Sequence, residues 1–305
     1  MDSLSDLHSL WIGARVSWLE KLCVTSWLAH GHRAVVWAYG PIEGLPREVE
    51  VRDARELLPE EAIVLHRFSG SVAMFSNRFR YHLLQRYPVT WFDMDVLLLR
   101  PLTIDTPYLF GWETADSICN AILRLPHGSR PLRDLVAYTD ARVPVPPWWP
   151  LEKRIQQRVL GIIGRHERAE DMPWGSFGPR AVTNALRRHR LTDRALPANV
   201  FYPVLWEHTA LFYQPKDILT ARLAAETIAV HLWSTGSLLA TPEMRQMRAA
   251  PPPAGSWIAA NVRRPVSTAA CERHGCPRPA PARVNKPEEE NTRVCLIEAR
   301  AAQGL

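Results

Sequence analysis

No apolar run among the 305 residues approaches the roughly 20 that a membrane-spanning helix needs. The opening segment, MDSLSDLHSL, lacks the basic and then apolar regions of a secretory signal, so the expectation is a cytoplasmic chain. Cysteine is sparse: five residues, an odd count at irregular spacing, make no disulfide framework, which agrees with a reducing compartment. No internal repeat is evident. With 47% hydrophobic residues the chain can build one sizeable core, which excludes a fibrous or wholly disordered protein. Charge is not balanced: a formal +6 favours an anionic partner, be it a nucleotide diphosphate, an anionic lipid or nucleic acid.

What is present centres on Phe75–Pro101, FSNRFRYHLLQRYPVTWFDMDVLLLRP. Thr90-Trp91-Phe92 and Val96-Leu97-Leu98-Leu99 read as buried strand, and Asp93 and Asp95 lie between them. Carboxylates avoid burial unless paired, hydrogen-bonded or metal-bound. An Asp-x-Asp at a strand end supplies oxygen ligands for a hard divalent cation that also holds phosphates, with a solvated turn as the plain alternative. Ahead of it, Ser76 is a plausible N-cap, and Phe75, Phe79, Leu83 and Tyr87 recur at helical spacing. Asn77, Arg80, Tyr81 and Leu84 share a neighbouring face.

These residues resemble the DxD-containing glycosyltransferases of family 32, which include yeast initiating mannosyltransferases and bacterial (capsular) polysaccharide enzymes; the glucosylating toxins of clostridia are more distantly similar. The family pattern is roughly S-D-x-x-R, an aromatic, and D-x-D. This chain has Ser76-Asn77-Arg78-Phe79-Arg80, then Trp91 and Asp93-Met94-Asp95. Asn77 stands where the family usually has an acid, so a sugar hydroxyl would be bound without charge. Pro88-Val89 replaces the usual Gly-Gly. The resemblance implies a GT-A-type α/β fold with a Rossmann-like, mostly parallel sheet and flanking helices, spanning residues 1–265. It also implies a Mn²⁺ or Mg²⁺ ion, a nucleotide-diphosphate sugar as donor, and retention of anomeric configuration.

Taken in order, Leu7–Gly13 reads as a first strand, Val16–His30 as a helix and Ala34–Tyr39 as a second strand, the beginning of a parallel sheet whose ligands sit at the carboxyl ends of strands. Trp11 lies at such an end. It is either a core side chain or, as the resemblance implies, a stacking surface for the nucleotide base. Gly40–Pro59 is expected to be loop; Asp53 within it either approaches the ligand or takes a surface ion-pair role. Gly111–Glu113 and Ile118–Leu123 read as a strand pair carrying Asn120, which serves either the backbone or a sugar hydroxyl. Pro131–Thr139 reads as helix, and His127 as loop.

Downstream, Trp148-Trp149 precede a basic amphipathic helix, Leu151–Arg168, with Leu151, Ile155, Val159 and Ile162 on one face and Lys153, Arg154, Arg158 and Arg165 supplying charge. Two readings stand: contact with an anionic bilayer, tryptophans at the headgroups, or a core helix with a solvated face. Trp174–Pro179 is a tight loop before the helix Arg180–His189 and resembles the family's G-P-x-x-x-T loop, with Thr183 in place. Phe201-Tyr202-Pro203 and Ala229–Ser234 resemble its last landmarks. His231 is either a structural histidine or a third ligand beside the two acids, one that suits Mn²⁺; Trp233 covers the sugar or only packs. Val266–Leu305 reads as a disordered tail, and Cys271, His274, Cys276 and Cys295 within it fit no standard zinc spacing.

The expectation is therefore a metal-dependent hexosyltransferase. Asp93, Asp95 and His231 would be at the metal, Trp11, Asn77, Arg80, Trp91, Asn120 and Trp233 around the donor, and the acceptor a glycan, a lipid-linked sugar or a protein. No nucleic acid partner is expected. Two rivals remain: FDMDVLLL also looks like the first motif of haloacid-dehalogenase-type phosphatases, without a glycine after Asp95 or a downstream acidic pair, and a non-catalytic sugar-nucleotide or glycan-binding protein would keep the fold without turnover.

Overall fold

LHSLW and AVVWA are apolar and short, and in the computed structural model, which describes residues 4–234 and 250–262, they form the central strands β1 (Leu7–Trp11) and β2 (Ala34–Ala38). Burial on both faces is what a parallel strand covered by helices requires. Between them runs α1 (Trp18–Ala29). Ser17 caps it, its Oγ accepting from Leu19 N at 3.1 Å, and Glu20 accepts back from Ser17 N at 2.8 Å.

Residues 40–59 depart from the expected loop: Glu50–Asp53 form β3, parallel to β2. The segment alternates half-buried and exposed residues, as an edge strand does, and its charges hid that pattern. The helix α2 (Ala73–Arg86) starts before Ser76, which therefore lies inside it and caps nothing. Beyond α2 come β4 (Thr90–Phe92), β5 (Val96–Leu98), β6 (Leu109–Trp112), β7 (Ile118–Arg124), α3 (Arg130–Thr139), α4 (Leu151–Ile162), α5 (Pro179–Arg188) and β8 (Ala229–His231).

Six strands make the main sheet in the order β3-β2-β1-β4-β7-β6. β3, β2, β1 and β4 run parallel, while β7 is antiparallel to both β4 and β6. This is the mixed α/β, mostly parallel sheet with flanking helices that a GT-A-type domain requires. The strand after the acids does not continue it. β5 pairs antiparallel with β8 in a separate two-stranded sheet, with Val96 opposite His231. α1 holds β5 in place: Trp27 Nε1 donates to Val96 O at 2.8 Å, and Ser26 Oγ accepts from Leu98 N at 2.9 Å.

α4 is shorter than expected and faces the other way. Its inward side carries Gln157, whose amide nitrogen donates to Pro144 O and Glu167 O at 3.1 and 2.7 Å, and Gly161, where a Cβ would come within 2.7 Å of Val143. Leu151, Ile155, Val159 and Ile162 point to solvent, so the helix is not a core helix with a polar outer face. Trp148 and Trp149 are half-buried instead of lying open: Trp148 packs edge-on against Tyr138 at 5.8 Å, and Trp149 against a small cluster with Met74, Met172 and Phe177.

Among the described residues no helix is long and apolar enough to cross a membrane, and Cys23 and Cys119 are free, buried thiols. The boundary expected at residue 265, the tail after it and its cysteines lie outside the described residues.

Candidate active site

The two acids are delivered by two different sheets. Asp93 follows β4 in the main sheet, Asp95 precedes β5, and the β5–β8 register sets His231 against Asp95, with Nε2 donating to Asp95 Oδ1 at 3.1 Å. Single ligand atoms of Asp93, Asp95 and His231 all lie within 4.8 Å of one another. Asp95 and His231 are buried, while the Asp93 side chain keeps 27% of its surface open.

Each acid has its own counter-charge. Arg80, one helical turn beyond Asn77 on α2, donates from Nη2 to Asp93 Oδ1 at 2.5 Å, and Trp91 Nε1 donates to the same oxygen at 2.6 Å. The Arg80 guanidinium also lies over the Trp91 ring, 4.6 Å from its centroid. Asp95 Oδ2 accepts from Ser234 N at 2.5 Å. That bond needs a reversal of the chain, which Trp233 provides with φ at +55°, a left-handed conformation rare for a bulky residue.

The electrostatics follow from these partners. Burial and the neighbouring Asp95 push the Asp93 carboxyl up, while Arg80 pulls against them. Burial acts on Asp95 in the same sense, yet the His231 charge and the bonds from His231 and Ser234 hold it well below the usual carboxylate range. Burial disfavours a charged His231; Asp95 outweighs this and raises its affinity for a proton.

A second polar group lies nearby on α2 and β7. Asn120 Nδ2 donates to Asn77 Oδ1 at 2.6 Å, and the loop before α5 closes over the pair at Gly178, where a Cβ would meet Asn77 Nδ2 at 3.1 Å. Tyr81 anchors that loop, its hydroxyl donating to Phe177 O at 2.6 Å. Asn77 thus pairs with a second amide.

The other expected site residues are placed as follows. Trp11 ends β1 beside the acids' strand, partly exposed, with a buried Nε1 that lacks a hydrogen-bond partner. Trp91 is a core side chain, 1% exposed; it was expected against the donor, but its ring is packed beside Phe79 and only Nε1 reaches the site, through Asp93. Trp233 lies 4.0 Å from the His231 ring and donates from Nε1 to Val204 O at 2.8 Å. Asp53 is drawn away, capping the turn at Ala54–Glu56 and pairing with Arg55. Thr183 accepts from Ile118 N at 2.9 Å, a link between α5 and β7. Sequence reasoning missed Ser234 N, since a backbone donor carries no residue signature; Tyr202, from the Phe201-Tyr202-Pro203 landmark, packs edge-on against His231.

Two carboxylates and an imidazole fit a divalent cation of the Mn²⁺ or Mg²⁺ kind. His231 Nδ1 is buried without a partner, as are Arg80 Nε and Nη1, so the cluster retains polar capacity that its own side chains do not use.

Residues 170–247 match the family model described as the alpha 1,4-glycosyltransferase conserved region. No curated protein matches the chain. Among solved structures it is similar to one titled "PaToxG Glycosyltransferase", at 12% identity and a TM-score of 0.40, over 62% of this chain and 70% of that one. Gly178, His231 and Trp233 fall within the matched segment, and Asp93 and Asp95 lie outside it.

Proposed function

We propose that the protein transfers a hexosyl unit from a nucleotide-diphosphate sugar to an acceptor hydroxyl on a glycan, a lipid-linked sugar or a protein, with a divalent cation and with retention, in the manner of the family-32 enzymes that its Asp-Met-Asp segment resembles. The observation that carries this reading is the convergence of Asp93, Asp95 and His231 within 4.8 Å beside the carboxyl end of β4.

In this reading the three side chains hold Mn²⁺ or Mg²⁺, which when bound supplies charge to offset the diphosphate as it leaves. Arg80 acts from the other side: its Nε and Nη1 are buried and unpartnered, so they are available to phosphate or hydroxyl oxygens of the donor. Asn77 and Asn120 bind sugar hydroxyls as a neutral amide pair, beside the close approach of the loop at Gly178. Trp11 offers its ring to the base. The acceptor hydroxyl attacks on the face from which the nucleotide leaves, with no enzyme nucleophile.

A panel of nucleotide sugars incubated with Mn²⁺, with free nucleotide as the readout, tests the proposal. Metal-dependent release from at least one donor, abolished by EDTA, is the expected result. Release of inorganic phosphate from phosphomonoesters without any nucleotide release would overturn it in favour of the phosphatase rival, and nucleotide binding without turnover would leave a binding protein.

A further inference from the structure

The outer face of α4 is apolar where a surface helix should be polar. Leu151, Ile155, Val159 and Ile162 form one stripe, continued by Ile163 just past the helix end, with exposures from 50% at Ile155 to 86% at Ile162. The helix does not lie loosely: Gln157 and Gly161 fix its inner side, so the stripe is presented by a held element. A contiguous aliphatic surface of this kind marks an interaction site.

The flank of the stripe has the opposite character. Arg154 and Arg158, one turn apart, line a cavity of about 380 Å³ between α3, α4 and α5, together with Trp148, Tyr138, Arg188 and Asp134. Asp134 is already engaged by His189 at 2.9 Å and Arg188 at 3.4 Å. Arg154 Nε and Trp148 Nε1 are buried there without hydrogen-bond partners. Donors without acceptors, among three arginines and a single carboxylate that is itself paired, suit an anion such as a phosphate group.

We infer that α4 docks the protein on an anionic phospholipid bilayer, its aliphatic stripe entering the acyl boundary while Arg154, Arg158 and Trp148 take a lipid phosphate. Charge complementarity selects this occupant: Arg158 is exposed on the helix and Arg165 just beyond its end, and a helix with an apolar face beside basic residues lies in a membrane interface. The inference is independent of the reaction performed at Asp93 and Asp95.

Co-sedimentation of the full chain with vesicles tests it. Binding is expected to phosphatidylserine-containing vesicles and not to pure phosphatidylcholine, with loss at high salt. Ile155→Glu/Val159→Glu should abolish it, and Arg154→Gln/Arg158→Gln should weaken it by roughly tenfold or more, since each basic residue near an anionic surface counts for about fivefold. The glutamates replace exposed side chains, so an unchanged melting temperature and unchanged nucleotide binding will show that this variant still folds. Equal binding to both vesicle types, or none, overturns the inference. So does dissociation of an oligomer by the glutamate variant, which would assign the stripe to a second copy, and so does thermal stabilisation by inorganic phosphate without vesicle binding, which would assign the cavity to a soluble anion.

Discussion

His231 stands opposite Val96 in the β5–β8 pair, and this register places its imidazole against Asp95, 136 positions earlier in the chain. Both are buried and each favours the charged form of the other, so removing one strands the other. Asp95→Ala should abolish turnover and also cost roughly 3–5 kcal/mol, the scale of a broken buried pair. Asp95→Ala/His231→Ala should cost less than the sum of the single changes, as read by chemical denaturation. Additive costs would mean that the pair is not coupled. The depressed carboxyl contributes above the ordinary carboxylate pKa and the raised imidazole below about 6.5, so the coupling should be largest at mildly acid pH.

Arg80 is 3% exposed and neutralises Asp93 while covering Trp91. Arg80→Lys keeps the charge but loses the planar fork. Donor turnover is expected to fall by at least about tenfold, with a stability loss of about 1 kcal/mol, a hydrogen bond's worth. A lysine variant with full turnover would remove Arg80 from the donor side.

Trp11 separates base stacking from core packing by a simple contrast. Trp11→Ala should weaken nucleotide diphosphate binding by about 1–3 kcal/mol, the scale of base–aromatic stacking, and leave the metal requirement intact. Titration calorimetry together with melting temperature decides: unchanged affinity with a large drop in melting temperature makes it a core residue.

His8 and His32 predict how the fold responds to acid. His8 Nδ1 accepts from Trp37 Nε1 at 3.0 Å, and burial lowers its pKa to about 4. His32 donates from Nδ1 to Ser5 O and accepts Leu102 N at Nε2, both at 3.0 Å, and burial lowers it too. Both are held neutral, so the stability they contribute is complete above about 6.5 and is lost as pH falls toward their folded values. For His8, a depression from 6.5 to about 4 corresponds to about 3 kcal/mol. Ring titration by NMR with a midpoint near 6.5 would contradict this.

Much of the frame was legible because its signals are local. The apolar runs of β1 and β2 and the Asp-Met-Asp segment each declare themselves within a few residues. Asn77, Arg80 and Asn120 were singled out by residue type, and the structure adds their partners. β3 was lost because an edge strand of charged residues has the composition of a loop. Trp91 was misplaced because an aromatic next to an acid reads the same whether it faces a ligand or the core. The inverted helix α4 could not be oriented from periodicity, which gives a stripe but not the side on which the domain lies.

The attachment of the acids to separate sheets also orders events during synthesis. Arg80, Trp91 and Asp93 lie within one short stretch of chain and meet as soon as α2 and β4 pack, whereas Asp95 acquires His231 and Ser234 only after the ribosome has made β8. Contacts this far apart in sequence are slow to close. A nascent chain that ends before residue 229 therefore carries half of the centre with its counter-charge in place and an aspartate without one, and completion of the fold and assembly of the centre become the same late step.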